Sequence, residues 1–157
     1  MPALRRISAT ALFLALAAAS SAAAATWKGI EPLKSRRADV LRILGKPTAE
    51  NAADASMRFA TPEGSATVSL VTRDFAAQKG WAPELEGTVV QILLQHEGSK
   101  ETPKSLRLDG NPRFDREVRG PAVFYRNRKE GVIRIFTNGK LATSIFAPED
   151  GGPGTDD

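Results

Sequence analysis

Asn138-Gly139 is the feature that most constrains what this chain can fold into. A two-residue hairpin loop of type I′ needs positive φ at both central positions, and Asn followed by Gly meets that need at little steric cost. The runs on either side, Val132 to Thr137 and Lys140 to Phe146, carry the β-branched and aromatic residues of strands. They must therefore pair antiparallel. Upstream, Arg128-Lys129-Glu130-Gly131 turns back to another strand, Ala122 to Asn127, so the C-terminal third reads as a three-stranded meander.

The same grammar recurs earlier. Met57 to Ala60 and Ala66 to Thr72 flank the turn sequence Thr61-Pro62-Glu63-Gly64. Ala66, Val68 and Leu70 alternate with Thr67 and Ser69, which predicts one buried and one wetted face. Thr88 to Glu97 reads as the strongest strand, with Val90, Ile92 and Leu94 pointing inward and Val89, Gln91, Leu93 and Gln95 on a second face that is only partly polar. A short helix is predicted after Ser35, a good N-cap. Val40, Ile43 and Leu44 share its face, Gly45 suits a left-handed C′ position, and Pro47 prevents resumption. Such a helix is shorter than the ~12–15 residues needed alone in water, so burying its apolar side chains, at about 1.5–3 kcal/mol each, must hold it. A second short helical turn is predicted from Thr102-Pro103 to about Arg107, before the turn Asp109-Gly110-Asn111-Pro112. Thr48 to Ser56 reads as a connection, and Arg73 to Gly87 as a long loop that is neither strand nor well-capped helix. The expected architecture is an α+β domain over residues 26–148. A mainly antiparallel sheet of about six strands carries one or two short helices, in the order helix, three strands, helix, three strands.

Residues 1–25 have another job. Arg5 and Arg6 precede an apolar run from Ala9 to Ala19, and Ala23-Ala24-Ala25 offers a small-residue cleavage site, the pattern of a secretory signal peptide. The uninterrupted apolar stretch is short of the ~20 residues of a membrane span. No Cys follows it, so a lipobox-type lipid anchor is not expected. Removing it lowers the hydrophobic fraction from 41% to about 36% and the net charge from +4 to +2, so the basicity of the whole chain is partly that of its leader. Residues 149–157, with four acids, three Gly and one Pro, read as a disordered acidic tail. The chain is expected to be secreted or periplasmic.

Composition also prunes the chemistry. With no Cys and one His, disulfides, zinc-thiolate sites, cysteine nucleophiles and histidine clusters are excluded. Phosphate-binding, dinucleotide-binding and EF-hand patterns are missing, so neither cofactor nor metal is expected. His96 is the one histidine available as a base, and it reads as a half-exposed strand-end residue; neither Ser65 nor Ser99 sits on the strained turn a serine nucleophile needs. Acid–base chemistry by carboxylates would fall to Glu84, Glu86, Asp109 and Asp115, all in loop sequence where acids are ordinarily solvated. Residues 26–47 carry six bases against two acids, and residues 48–99 three bases against seven. Arg36 and Arg37 sit in the predicted helix's first turn, where the macrodipole disfavours cations. With Arg42 they form either a site for an anionic partner or a solvated face. Phe75 and Trp81 are either interface anchors or a plug for the open end of the core. Arg36, Arg37, Arg42, Phe75 and Trp81 are the candidate binding residues, and export makes nucleic acid an unexpected partner.

The run from Ile30 to Pro47 resembles the opening helix of BamE/SmpA-type envelope lipoproteins through Ser35, Asp39-Val40 and Leu44-Gly45-Lys46-Pro47. Pro32-Leu33 replaces that family's opening, and its anchor cysteine is absent. Trp27-Lys28-Gly29-Ile30, Arg37-Ala38-Asp39-Val40, Gly80-Trp81, Gly87-Thr88-Val89 and Leu106-Arg107-Leu108-Asp109 are similar to a set of short, uncharacterised exported bacterial proteins. The second similarity implies fold and export and brings no activity; the BamE-like and β-lactamase-inhibitor-like folds imply, by analogy, a protein-binding sheet without catalysis. The function expected is therefore that of an exported, non-catalytic binding or accessory protein, contacting a protein or an anionic envelope component. A small carboxylate-dependent hydrolase and a small-molecule carrier are the alternatives.

Overall fold

In the computed structural model the residues described are 24–148. The signal-peptide reading, apart from Ala24 and Ala25, and the acidic-tail reading lie outside them.

The α+β expectation is corrected: the described residues form mainly one antiparallel sheet of eight strands. Its elements are α1 (Arg37–Leu44), β1 (Ala49–Asn51), β2 (Ser56–Thr61), β3 (Gly64–Leu70), α2 (Arg73–Lys79), β4 (Val89–His96), β5 (Asp115–Arg119), β6 (Ala122–Asn127), β7 (Val132–Thr137) and β8 (Lys140–Phe146). A turn of 3-10 helix, Pro83–Leu85, follows α2. The strand order is β1-β2-β3-β4-β8-β7-β6-β5. Two four-stranded meanders thus meet through their last strands, with Ile92 opposite Phe146 and Leu94 opposite Ser144.

Both strands missing from the expected six are edges. β1 has three exposed residues, and β5, Asp-Arg-Glu-Val-Arg, is exposed throughout, so neither carries the alternation that betrays a strand. Short length and charge are what protect edges from further pairing. The expected helix at Thr102–Arg107 is instead a set of turns. Leu106 N–H reaches the Thr102 carbonyl and Leu108 N–H the Pro103 carbonyl, but Arg107 has φ of 54°, which ends any helix there. The second helix lies in the supposed loop. The Thr72 hydroxyl accepts from Phe75 N–H and Gly80 adopts a left-handed C-cap, while Ala76 is the sole buried residue of α2, so no apolar periodicity marks it.

Other details hold with small shifts. Asn138 and Gly139 have φ of 51° and 73°, as a type I′ loop requires. Arg36, not Ser35, caps α1, and its backbone N–H donates to the Asp39 carboxylate; the Ser35 hydroxyl accepts from Glu31 N–H instead. Within β4, a register shift opposite Ser69 and Leu70 turns Val89 inward in place of Val90.

Register places Met57, Phe59, Ala66, Val68, Ile92, Leu94 and Phe146 on one face of the sheet. Two segments cover it. Residues 25–44 lay Ile30 and Val40 on the first meander, with Trp27, Leu41, Ile43 and Leu44 around them. On the second meander, Leu106, Leu108 and Phe114 pack against Tyr125, Phe136 and Leu141. Val132, from the second meander, belongs to the first core, so the two halves share an interior. The Tyr125 hydroxyl donates to the Asp109 carboxylate at 2.6 Å, tying the second cover to the sheet.

Candidate functional site

Between the two covers the sheet's central strands form the floor of an open cleft of about 490 Å³. Trp27, Ser99, Leu94, His96, Arg134 and Phe146 are among the residues that line it. A neighbouring hollow of about 350 Å³ shares Arg134 and Phe146 as floor. Trp27 is placed by a tight turn, in which Trp27 and Ile30 exchange backbone hydrogen bonds around Lys28 and Gly29, both at positive φ. The far wall is pinned where Leu141 N–H donates to the Glu101 carbonyl. Gly64 lets the end of β4 come close: at φ +142°, a Cβ there would overlap the Gln95 carbonyl beside His96.

The floor holds a polar chain in an otherwise apolar interior. Arg134 lies on β7 between the inward Val132 and Phe136, opposite Ser144 on one side and Tyr125 on the other. Its Nη1 donates to the Ser144 hydroxyl, and its guanidinium lies 5.1 Å from the Phe146 ring centroid. The Ser144 hydroxyl also meets His96 Nε2 at 2.8 Å. Burial, and then the Arg134 charge, hold His96 below its ordinary pKa, with Glu63 opposing them. A neutral His96 with Nδ1 protonated accepts the Ser144 proton, leaving a serine lone pair for Arg134. Burial likewise lowers the Arg134 pKa, because desolvation penalises the cation.

This arrangement does not present a nucleophile. Ser144 is 0% exposed, so its hydroxyl cannot meet an incoming carbonyl. Among the described residues no carboxylate hydrogen-bonds the other His96 nitrogen to orient it as a triad would. The four acids weighed from sequence do not converge: Glu84 flanks the 3-10 turn, Glu86 pairs with Arg73, Asp109 accepts from Tyr125, and Asp115 pairs with Arg128. All four residues are exposed.

The five candidate binding residues are distributed away from the cleft and are engaged within the chain. Arg36 donates to the backbone carbonyls of Glu84 and Glu86, fastening α1 to the segment after α2. Arg37 forks onto both carboxylate oxygens of Glu50, and Arg42 reaches Asp39. Phe75 and Trp81 meet edge to face, 5.3 Å between centroids, with the Trp81 indole N–H buried and without a partner. Ser65 bonds Gln95, while Ser99 stands in the cleft wall.

Sequence reasoning passed over Trp27, Arg134 and Ser144. Arg134 had at most half a signal: it shares parity with Val132 and Phe136, but Ile133 and Ile135 make the other parity look equally apolar. Ser144 had none, since serine is ordinary in a strand. Among the described residues no helix is long and apolar enough to cross a membrane. What fold and site define is an eight-stranded antiparallel sheet with a cleft on its covered face. Comparison with protein-family models, curated proteins and solved structures returns no match to this chain.

Proposed function

We propose that this chain is an exported, non-catalytic binding protein of the cell envelope or extracellular space, and that it receives its ligand in the cleft between the two covers. The observation that carries the reading is the cleft itself. Its ~490 Å³ falls in the range of small-ligand sites, and it sets the apolar side chains of Trp27, Leu94, Leu141 and Phe146 beside polar groups, among them His96, Ser99 and Arg134, that can orient a ligand. The buried Ser144 and the dispersed carboxylates favour binding over hydrolysis. The internal pairing of Arg36, Arg37 and Arg42 favours the cleft over the basic segment as the recognition surface. The leader sequence and the resemblance of residues 30–47 to envelope lipoproteins support the location.

The test uses Trp27 as reporter. In a Trp81→Phe background it is the one remaining indole, and it lines the cleft. A panel of small apolar compounds, charged and uncharged, is titrated while its fluorescence is followed. At least one compound should produce a saturable change that Ser99→Trp, which fills the cleft, abolishes as read by calorimetry. No saturable change with any compound, or saturation untouched by Ser99→Trp, refutes the reading.

A further inference from the structure

We propose that Arg134 is the receptor for the carboxylate of a small apolar monocarboxylic acid held in this cleft. The inference rests on the cleft reading above and names the ligand's chemistry.

A guanidinium has five N–H donors in a planar fork. For Arg134, one nitrogen donates to Ser144, and among the described residues no carboxylate is paired with it. Other arginines of the chain behave differently: Arg37, Arg42, Arg73, Arg113, Arg119 and Arg128 each pair with an acid, at sites that are largely exposed. Arg134 differs from these six in being half-buried and in having no acid paired with it among the described residues. A desolvated, unpaired cation is costly, and folded proteins tolerate such a cost chiefly where binding uses it. Arg134 lines both hollows, so the guanidinium borders the space a ligand would fill.

The surroundings select among anions. Glu63, Glu97 and Glu101 line the same cleft, with Lys100 as the other formal cation there, and His96 is held toward its neutral form. A phosphate dianion would meet this net negative rim with one guanidinium to neutralise it. A carboxylate carries one charge, and its two oxygens match the guanidinium fork. The Phe146 ring, 5.1 Å from the guanidinium carbon, holds a cation–π contact with that fork. Trp27, Leu94, Leu141 and Phe146 offer apolar contact to the rest of the ligand.

The test compares octanoate, octanamide and octyl phosphate by isothermal titration calorimetry on the full chain. Octanoate should bind roughly 10- to 100-fold more tightly than octanamide, the range expected for a desolvated charge-assisted pair. Arg134→Met should remove that preference while leaving octanamide affinity unchanged, and Arg134→Lys should restore it only in part. Because Met removes an unpaired buried charge, Arg134→Met should melt no lower than wild type. Equal affinity for octanoate and octanamide, or octanoate binding indifferent to Arg134→Met, overturns the carboxylate assignment and leaves the cleft reading standing. Tighter binding of octyl phosphate than of octanoate overturns it in favour of a phosphate group. A large fall in melting temperature for Arg134→Met with octanoate affinity intact assigns Arg134 a structural role instead. If none of the three probes binds and the cleft panel also fails, both readings fall together.

Discussion

Ile92→Ala tests whether the two meanders are one cooperative unit. Ile92 is 0% exposed and sits on β4, opposite Val68 of β3 on one side and Phe146 of β8 on the other. It therefore packs on the strand through which the halves join. The substitution deletes three carbon atoms, worth about 2.4 kcal/mol at ~0.8 kcal/mol per buried methylene. The strand pairs on both sides keep the site from collapsing, so a cavity contribution of ~24 cal/mol per Å³ adds to it and brings the loss to about 3–4 kcal/mol. Urea unfolding followed by tryptophan fluorescence and by far-ultraviolet circular dichroism reads the change. In a Trp81→Phe background Trp27 reports on the first core, whereas circular dichroism reports the whole sheet. The two transitions should move together, with unchanged slope, because Val132 ties the second meander into the first core. Ile133→Ala, half-exposed on the other face of the sheet, is the control and should cost less than half as much. A loss below ~1 kcal/mol for Ile92→Ala would contradict its interior placement, by the magnitude expected of buried large-to-small changes. Separation of the two probes would refute the shared interior.

Three further outcomes are expected. Gly131→Ala should be among the most destabilising single changes, because Gly131 has φ of 66° and a Cβ there would overlap the Ala147 carbonyl; Gly139→Ala, at φ 73° with open space around it, should cost only about 1 kcal/mol, and equal thermal shifts would refute the distinction. Tyr125→Phe removes the hydroxyl that reaches Asp109 and should cost about 1 kcal/mol, with faster hydrogen exchange in residues 102–114; unchanged exchange there would show that apolar contacts alone hold the second cover. His96 carries a pH signature. Its folded pKa lies below the ordinary 6.5, so the unfolded chain binds the proton more readily, and stability must fall as pH drops from 6.5 toward the folded value and be greatest above 6.5. The lowered pKa values of Asp39 and Glu117 act in a separate, more acid window, so urea midpoints between pH 8 and 5 isolate His96. His96→Gln should flatten that slope, and a slope that survives the substitution belongs to another group.

What was legible in the sequence was whatever two independent local signals agreed on. Asn138-Gly139 between two apolar runs gives β7 and β8, and a cap, an apolar face, a Gly and a Pro give α1 within a residue or two. The unread elements had one signal or none. β1 and β5 are edges, and an edge strand is selected for charge and brevity, the properties that erase its alternation. α2 buries just Ala76, so its capping residues Thr72 and Gly80 stood without a periodic face between them. At Thr102-Pro103 the start signal was real, but Arg107 in a left-handed conformation is set by docking on the second meander and not by its own propensity.

The candidate site was less legible for a physical reason. Charge counted along a chain finds clusters in sequence, and the six bases of residues 26–47 form one, yet three of them are spent on Glu31, Asp39 and Glu50 within the same fold. Unsatisfied charge is a property of three-dimensional position. Arg134 is surrounded in sequence by Val132, Ile133, Ile135 and Phe136, so either parity of β7 looks apolar, and only the register with Ser144 and Tyr125 decides which face the arginine shares. Once that face is known to be the covered one, and the covers are seen to stop short of each other, the arginine becomes the one strongly charged group on the floor of a cleft. A strand pattern of alternating large apolar residues interrupted at an inward position by a single Arg is therefore a better pointer to a binding site than a run of surface bases. The rule fails if Arg134→Met leaves every ligand affinity of the cleft unchanged.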